Sequence, residues 1–200
     1  MGRLKQFLPL GKRPVLRHSI DSLRMAGVHE VVVVGGTDAG RYETALADDG
    51  ARLVLNERPR SEMADSVRLG LQQIEMDARS AIILCLADHP LVLSETYGTL
   101  INRHHQAPGK IIIPTFQGRR GHPTLFPTMI IADIFQKRSL REIVRQDPTR
   151  LLLVEAADEG VVLDIDTEAD YHKALALYQA RRERPLIVEM LDQQPGESHV

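Results

Sequence analysis

The sequence predicts an α/β fold in three layers, a mostly parallel sheet with helices on both faces. Two observations carry this. Short runs of wholly or nearly wholly apolar residues recur, at 31–34, 81–87 and 110–114, and a run without polar alternation reads as a strand buried on both faces. Between these runs lie stretches whose apolar residues recur at helical spacing, the pattern of crossover helices. With no Trp, four Phe and four Tyr, the core must be aliphatic, which suits Val/Ile/Leu strands under amphipathic helices. The 200 residues, 26% charged and 43% hydrophobic, suffice for one sizeable soluble domain.

Taken in order, residues 1–12 are basic and carry Pro9 and Gly11, so they read as a loop. Pro14 opens a helix, because proline suits a first turn, and Leu16, Ile20 and Leu23 share one face until Gly27. Residues 31–34 form a strand closed by Gly35-Gly36, 40–49 a weak helix, and 52–56 a short strand. Residues 62–76 are helical, with Val67, Leu71 and Ile74 as the apolar stripe. The run at 81–87 then stops at Asp88, and Pro90 ends the strand because it lacks an amide hydrogen. An acid just past the C-terminal end of such a strand stands where open α/β sheets bind ligands.

A helix over 94–105, a strand over 110–114 and a glycine-punctuated basic loop over 117–123 follow, leading into Thr124-Leu125-Phe126. Two helical pieces come next, 128–136 and 139–147, the second opening with the capping box Ser139-Leu140-Arg141-Glu142. Strands at 151–155 and 161–165 lead to Asp166. Thr167 then caps a helix to about 182, with Tyr171, Ala174, Leu175 and Tyr178 facing inward. The expected domain is 1–182, and 183–200 reads as a polar tail.

Composition narrows the function. A net charge of −2 offers no bulk attraction to nucleic acid or anionic lipid. The single cysteine, Cys85, lies inside an apolar run and reads as a small core residue. No run is long enough to span a bilayer and no signal-peptide segment opens the chain, so a cytoplasmic location is expected.

Four patches could carry chemistry: Lys5, the helix start Ala64-Asp65-Ser66, Asp88, and the pair Asp164 and Asp166. Two acidic strand ends and a mobile lysine can hold a divalent metal against a polyphosphate. Magnesium takes one or two carboxylates and completes its shell with phosphate oxygens, and lysine adds a flexible point charge. Singly, each has an ordinary explanation: a solvated lysine, a solvated strand end, a helix N-cap at Asp166, a plain helix residue at Ser66. Strand alternation sends Asp164 and Asp166 to the same side, so spacing does not choose between them. His89 and His122 lie in loops that could meet, but no Cys/His zinc spacing exists, and the adjacent His104 and His105 point to different helix faces. Gly35-Gly36 lacks the spaced glycines of a dinucleotide fingerprint, and no Walker-type loop is present.

The string Met1-Gly2-Arg3-Leu4-Lys5-Gln6-Phe7-Leu8-Pro9-Leu10-Gly11, with Pro14-Val15-Leu16, resembles the second half of the nucleotide-binding signature of the MobA-like molybdenum cofactor nucleotidyltransferases, most closely the cytidylyltransferase type. Four further stretches resemble that family in order. Met63-Ala64-Asp65-Ser66-Val67-Arg68-Leu69-Gly70-Leu71 is similar to its nucleotide-contacting helix start, and Ala87-Asp88-His89-Pro90 to its acid-x-proline metal motif. Gly118-Arg119-Arg120-Gly121-His122-Pro123 with Leu125-Phe126 is similar to the pterin-side loop, and Leu163-Asp164-Ile165-Asp166-Thr167-Glu168-Ala169-Asp170 to the terminal acidic motif.

The resemblance implies a nucleotide-diphospho-sugar transferase-like fold and a reaction. The terminal phosphate of molybdopterin attacks the α-phosphate of a nucleoside triphosphate, CTP favoured, and pyrophosphate leaves. Lys5 and Asp88 would be catalytic, and Lys5, Asp65, Ser66 and Asp88 would bind nucleotide. Arg119, Gly121 and His122 would bind the acceptor, and Asp88 and Asp166 would hold Mg²⁺. A molybdoenzyme could receive the product. In that family a β-strand and a glycine-rich loop ending in Arg precede the Met-Gly that opens this sequence. Met1 is therefore expected to match an internal methionine, with the gene start upstream or lost. Unpaired backbone groups beside the first strand's place and a reduced phosphate cradle are expected with it. Two alternatives stand beside this: a nucleotidyltransferase for another phosphorylated acceptor such as a sugar or alcohol phosphate, and a non-catalytic member of the fold.

Overall fold

The computed structural model describes residues 4–47, 50–58, 61–75, 77, 80–136 and 139–183; all but the first residue of the expected polar tail lie outside these. The N-terminal segment, expected as loop, holds local structure: one 3₁₀ turn (Lys5–Phe7), then a tight antiparallel ribbon of β1 (Pro9–Leu10) and β2 (Arg13–Pro14). Gly11 turns the ribbon at φ +65°, and a Cβ there would lie 2.5 Å from the Tyr178 ring, so any other residue would be strained and would have to displace that ring. Pro14 is the N-cap of α1 (Val15–Met25), which buries Leu16, Ile20 and Leu23.

β3 (Val32–Gly35), α2 (Ala39–Leu46), β4 (Arg52–Leu55), α3 (Met63–Leu71) and β5 (Ala81–Leu84) follow. Next come α4 (Ser94–Gln106), β6 (Ile111–Phe116), β7 (Arg119–Arg120) and β8 (Thr124–Pro127). Last are α5 (Ile131–Gln136), α6 (Leu140–Gln146), β9 (Leu151–Glu155) and α7 (Glu168–Glu183). Of the expected capping box at Ser139 only half forms, Ser139 accepting the Glu142 amide, whereas Thr167 and Asp170 exchange side-chain-to-backbone bonds at the start of α7.

The layers show in β6. Ile111 and Ile113 join the cluster with Leu71, Ile134 and Ile143 of α3, α5 and α6, whereas Ile112 joins Leu100 of α4. Alternate side chains of one strand thus enter opposite helical layers, which is why its sequence is apolar without alternation. The sheet is mixed. β6 pairs with β9 and β3 with β4 in parallel, while β8 runs antiparallel between β5 and β6, and β7 folds back on β6. Residues 161–165 are no strand: Glu159–Val162 make a 3₁₀ turn, capped by the Asp158 carboxylate on the Gly160 amide.

Among the described residues the sheet is open between β3 and β5. A cavity of about 640 Å³ lies there, lined by consecutive residues of both strands, by Leu16 and Ile20 of α1 and by Val67 and Leu71 of α3. Consecutive lining residues mark strand edges rather than faces. The Val31 and Gly35 carbonyls accept the amides of Arg52 in β4 and of Asn56 just past it, so by alternation the N–H and C=O of Val32 and Val34 point into the cavity. On the other side the Ser80 carbonyl accepts from Thr128 beside β8, so the groups of Ala81 and Ile83 point inward too. This matches the unpaired backbone groups expected from the resemblance. It also corrects the reading of the 81–87 run as a strand covered all round: β5 spans only four of its residues, each half-buried.

Candidate active site

Three segments far apart in sequence meet at one end of the sheet. Past β5 the chain turns, with the His89 amide on the Leu86 carbonyl 3.2 Å away, and the Asp88 carbonyl accepts the Ile165 amide at 2.9 Å. That backbone bond brings Asp88 beside Asp164 and Asp166. From the N-terminal segment the Lys5 ammonium donates to Asp88 Oδ2 at 3.0 Å and to Asp166 Oδ1. The turn carrying Lys5 is anchored by its neighbours: the Phe7 ring meets Tyr42 edge-on at 4.8 Å, and Gln6 Nε2 donates to the Tyr42 hydroxyl at 2.7 Å.

Electrostatics follow from this geometry. Burial alone would lower the Lys5 pKa, but the bonds to Asp166 and Asp88 outweigh it and hold the ammonium above its ordinary value. The same bond from Lys5, with its charge, holds the Asp166 carboxyl below the usual carboxylate range. Asp88 Oδ1 is buried and has no hydrogen-bond partner among the described residues. A divalent cation fits here. Two carboxylates converge on one cation already, an orphaned oxygen remains, and among the described residues no group of three or more His, Cys, Asp or Glu forms a complete cage. A site of two carboxylates with phosphate oxygens completing the shell suits magnesium.

His122 stands beside this cluster. Its ring lies 4.9 Å from that of His89, and the Nδ1 atoms of both are buried without hydrogen-bond partners among the described residues. Burial pushes the His122 pKa down to about 4, the neighbouring His89 adds to this, and Asp88 and Asp164 oppose it. The loop is fixed by backbone: the Gly121 amide donates to the Pro114 carbonyl and the His122 amide to the Val161 carbonyl, both at 2.8 Å. A Cβ at Gly121 would lie 2.2 Å from the Val161 oxygen, so only glycine fits. Arg119 is exposed on the β6–β7 hairpin.

Asp65 and Ser66 occupy a separate position. Asp65 completes a capping box with Glu62 and pairs with Arg68 at 2.9 Å, so its carboxylate serves the start of α3, and no described contact joins it to the Lys5 cluster. Ser66 faces a second cavity of about 520 Å³, bordered also by Gly35, Gly36, Thr37, Asn56 and Ser61. There Asn56 Nδ2 donates to the Ser61 and Ser66 hydroxyls, each at 2.9 Å. Sequence reasoning missed Asn56 and Ser61. The signal was present: Asn56 is the polar residue immediately past the apolar strand β4, the same placement that singled out Asp88.

Comparisons with known proteins identify the family and the fold. The model of the MobA-like NTP transferase domain matches residues 1–158. The chain is 25% identical over 182 residues to the nicotine blue oxidoreductase of Paenarthrobacter nicotinovorans, covering 86% of this chain and 87% of that protein. Among solved structures, Rv0371c from Mycobacterium tuberculosis H37Rv in complex with manganese superposes with a TM-score of 0.71 at 27% identity, over 88% of this chain and 93% of that one. A 4-diphosphocytidyl-2C-methyl-D-erythritol synthase shares the fold, with a TM-score of 0.70 at 20% identity over 86% of this chain and 94% of that one. By the span of the family match, the chain belongs to the MobA-like NTP transferase domain family.

Proposed function

We propose that this protein moves a nucleoside monophosphate, CMP from CTP being favoured, onto the terminal phosphate of molybdopterin with release of pyrophosphate. One observation carries the reading: Lys5, Asp88 and Asp166, from three distant segments, converge at the end of the sheet, while Asn56, Ser61 and Ser66 line a separate polar cavity past β3 and β4. That cavity seats the nucleoside, with Asp65 supporting through the start of α3. An oxygen of the acceptor phosphate bonds to the α-phosphorus, the bond to the β-phosphate breaks, and its electrons leave on pyrophosphate. In such transfers the protein positions groups and stabilises charge that builds up. Lys5 supplies a mobile positive charge to the triphosphate. Asp88 and Asp166 would hold Mg²⁺, which supplies further neutralisation there. Arg119, Gly121 and His122 line the acceptor side.

Manganese in the complex with Rv0371c supports a divalent ion at this fold, and its identity as Mg²⁺ here is part of the proposal. A cytoplasmic setting suits the single thiol, Cys85, whose pKa burial raises to about 12. A molybdoenzyme is the partner proposed to receive the product. The oxidoreductase name of one relative stays with that relative, since Gly35-Gly36 here lacks a dinucleotide fingerprint.

The test is titration calorimetry of CTP, GTP and ATP with Mg²⁺, followed by pyrophosphate release from CTP with molybdopterin. CTP should bind and turn over, and Asp88→Ala should lower the rate at least about 100-fold, as removal of a transition-state charge stabiliser does. Turnover with a sugar or alcohol phosphate instead would move the reading to the other acceptor class. Binding of no nucleotide would defeat both.

A further inference from the structure

Lys5 does something in this structure that a phosphate-binding lysine need not do. Its ammonium stands between Asp88 and Asp166, and among the described residues the ion pairs of both carboxylates are with Lys5. Asp164 lies beside Asp166, and Asp170 adds like charge nearby. Carboxylates gathered so closely repel unless a cation sits among them. Lys5 is that cation. Its side chain is one-third exposed, while Gln6 and Phe7 fix the backbone beside it on Tyr42, so a flexible stem pivots on a fixed base.

We propose that Lys5 is a placeholder: its ammonium fills the cation position between Asp88 and Asp166 until a metal-bound nucleotide arrives, then swings to the phosphates. The proposal rests on the reading that Asp88 and Asp166 hold the metal. It deepens that reading by assigning Lys5 a second role, in the nucleotide-free protein. Three consequences follow from the charges. Metal alone must displace a paired ammonium and therefore binds weakly. Phosphates supply the ammonium with a new partner, so nucleotide strengthens metal binding, and by reciprocity metal strengthens nucleotide binding. Premature closure of the acidic cluster on a bare ion is thereby disfavoured.

The experiment is electron paramagnetic resonance titration of Mn²⁺ alone into the full chain, repeated for Lys5→Met, Lys5→Arg and Asp88→Asn. Two part-exposed ion pairs, each worth up to about fivefold, compete with the ion, so Lys5→Met should bind free Mn²⁺ roughly three- to thirty-fold more tightly than wild type. Lys5→Arg, which keeps the charge, should bind it as weakly as wild type. With CTP present the wild type should gain Mn²⁺ affinity and Lys5→Met should gain less. Equal affinity of wild type and Lys5→Met for Mn²⁺ alone, with Asp88→Asn weaker, would leave the metal site standing and overturn the placeholder. Unchanged affinity in Asp88→Asn and in Lys5→Met/Asp88→Asn would instead overturn the metal assignment on which it rests.

Discussion

Replacing Asp158 by alanine should unfold the support under the candidate active site before it touches the chemistry proposed there. Asp158 is 2% exposed and both of its carboxylate oxygens are fully engaged. Oδ2 accepts the Leu93 amide at 2.9 Å and the Thr96 hydroxyl at 2.7 Å, tying down the start of α4. Oδ1 accepts the Gly160 amide at 3.0 Å and Arg181 Nη2 at 2.8 Å, tying α7 to the turn at Glu159–Val162. That turn presents the Val161 carbonyl to His122, and the segment after it binds Asp88 through Ile165. Truncation would leave the Arg181 cation, about one-fifth exposed, without its carboxylate partner and orphan three further donors. Removing one member of a buried, hydrogen-bonded ion pair costs about 3–5 kcal/mol. For a domain of this size that is a fall in Tm of roughly 6–20 °C. Calorimetric melting measures it. In a double-mutant cycle with Arg181→Met the two losses should be markedly less than additive. A fall of less than about 2 °C for Asp158→Ala, or additive losses in the cycle, would refute the assignment of these bonds as the clamp.

Two further outcomes are expected. Amide hydrogen exchange should alternate along the strands that border the cavity in the sheet: Val32, Val34 and Ile83 exchange faster than Val33, Ile82 and Leu84, whose amides point to β4 or β8. Uniform protection of all six would show that those edges are paired. Acid should weaken the fold through His122, whose pKa lies near 4 in the fold against an ordinary 6.5. The unfolded chain then takes up the proton first, so this part of the stability is complete above pH 6.5 and is lost as the pH falls toward 4. His122→Gln should therefore narrow the Tm difference between neutral pH and about pH 5. An equal difference in variant and wild type would sink this account.

Much of the fold was legible because burial on two faces leaves a mark in one dimension. The Ile-rich run at 111–113 is apolar throughout because its side chains enter both helical layers, and Ser139 and Thr167 cap because their oxygens reach amides within the same turn. Lys5, Asp88 and Asp166 were legible as candidates by their place at loop and strand ends, and by family resemblance. The direction of β8 was not legible. A strand's side-chain pattern records which faces are covered, not which way its neighbours run. Residues 161–165 misled for a related reason: Val161, Leu163 and Ile165 are apolar because the core covers them, while Asp158 satisfies the backbone locally and makes a turn of what reads as a strand. Asp65 drew notice by its position before a helical stripe, and in the structure it closes a capping box with Glu62 and pairs with Arg68.

By itself, then, the sequence determined the alternation of apolar strands and amphipathic helices, the capped helix starts, and the acids and lysine at the chain's turns, all of which are properties of neighbouring residues. The tertiary structure decided what depends on distance in space. It set Lys5 between two carboxylates 83 and 161 residues away, paired the buried rings of His89 and His122, and left Asn56 with two serines at the second cavity. It also opened the sheet between β3 and β5. Hydrogen bonds and charges act over a few ångströms without regard to chain separation, so the residues that meet are fixed only when the whole core closes.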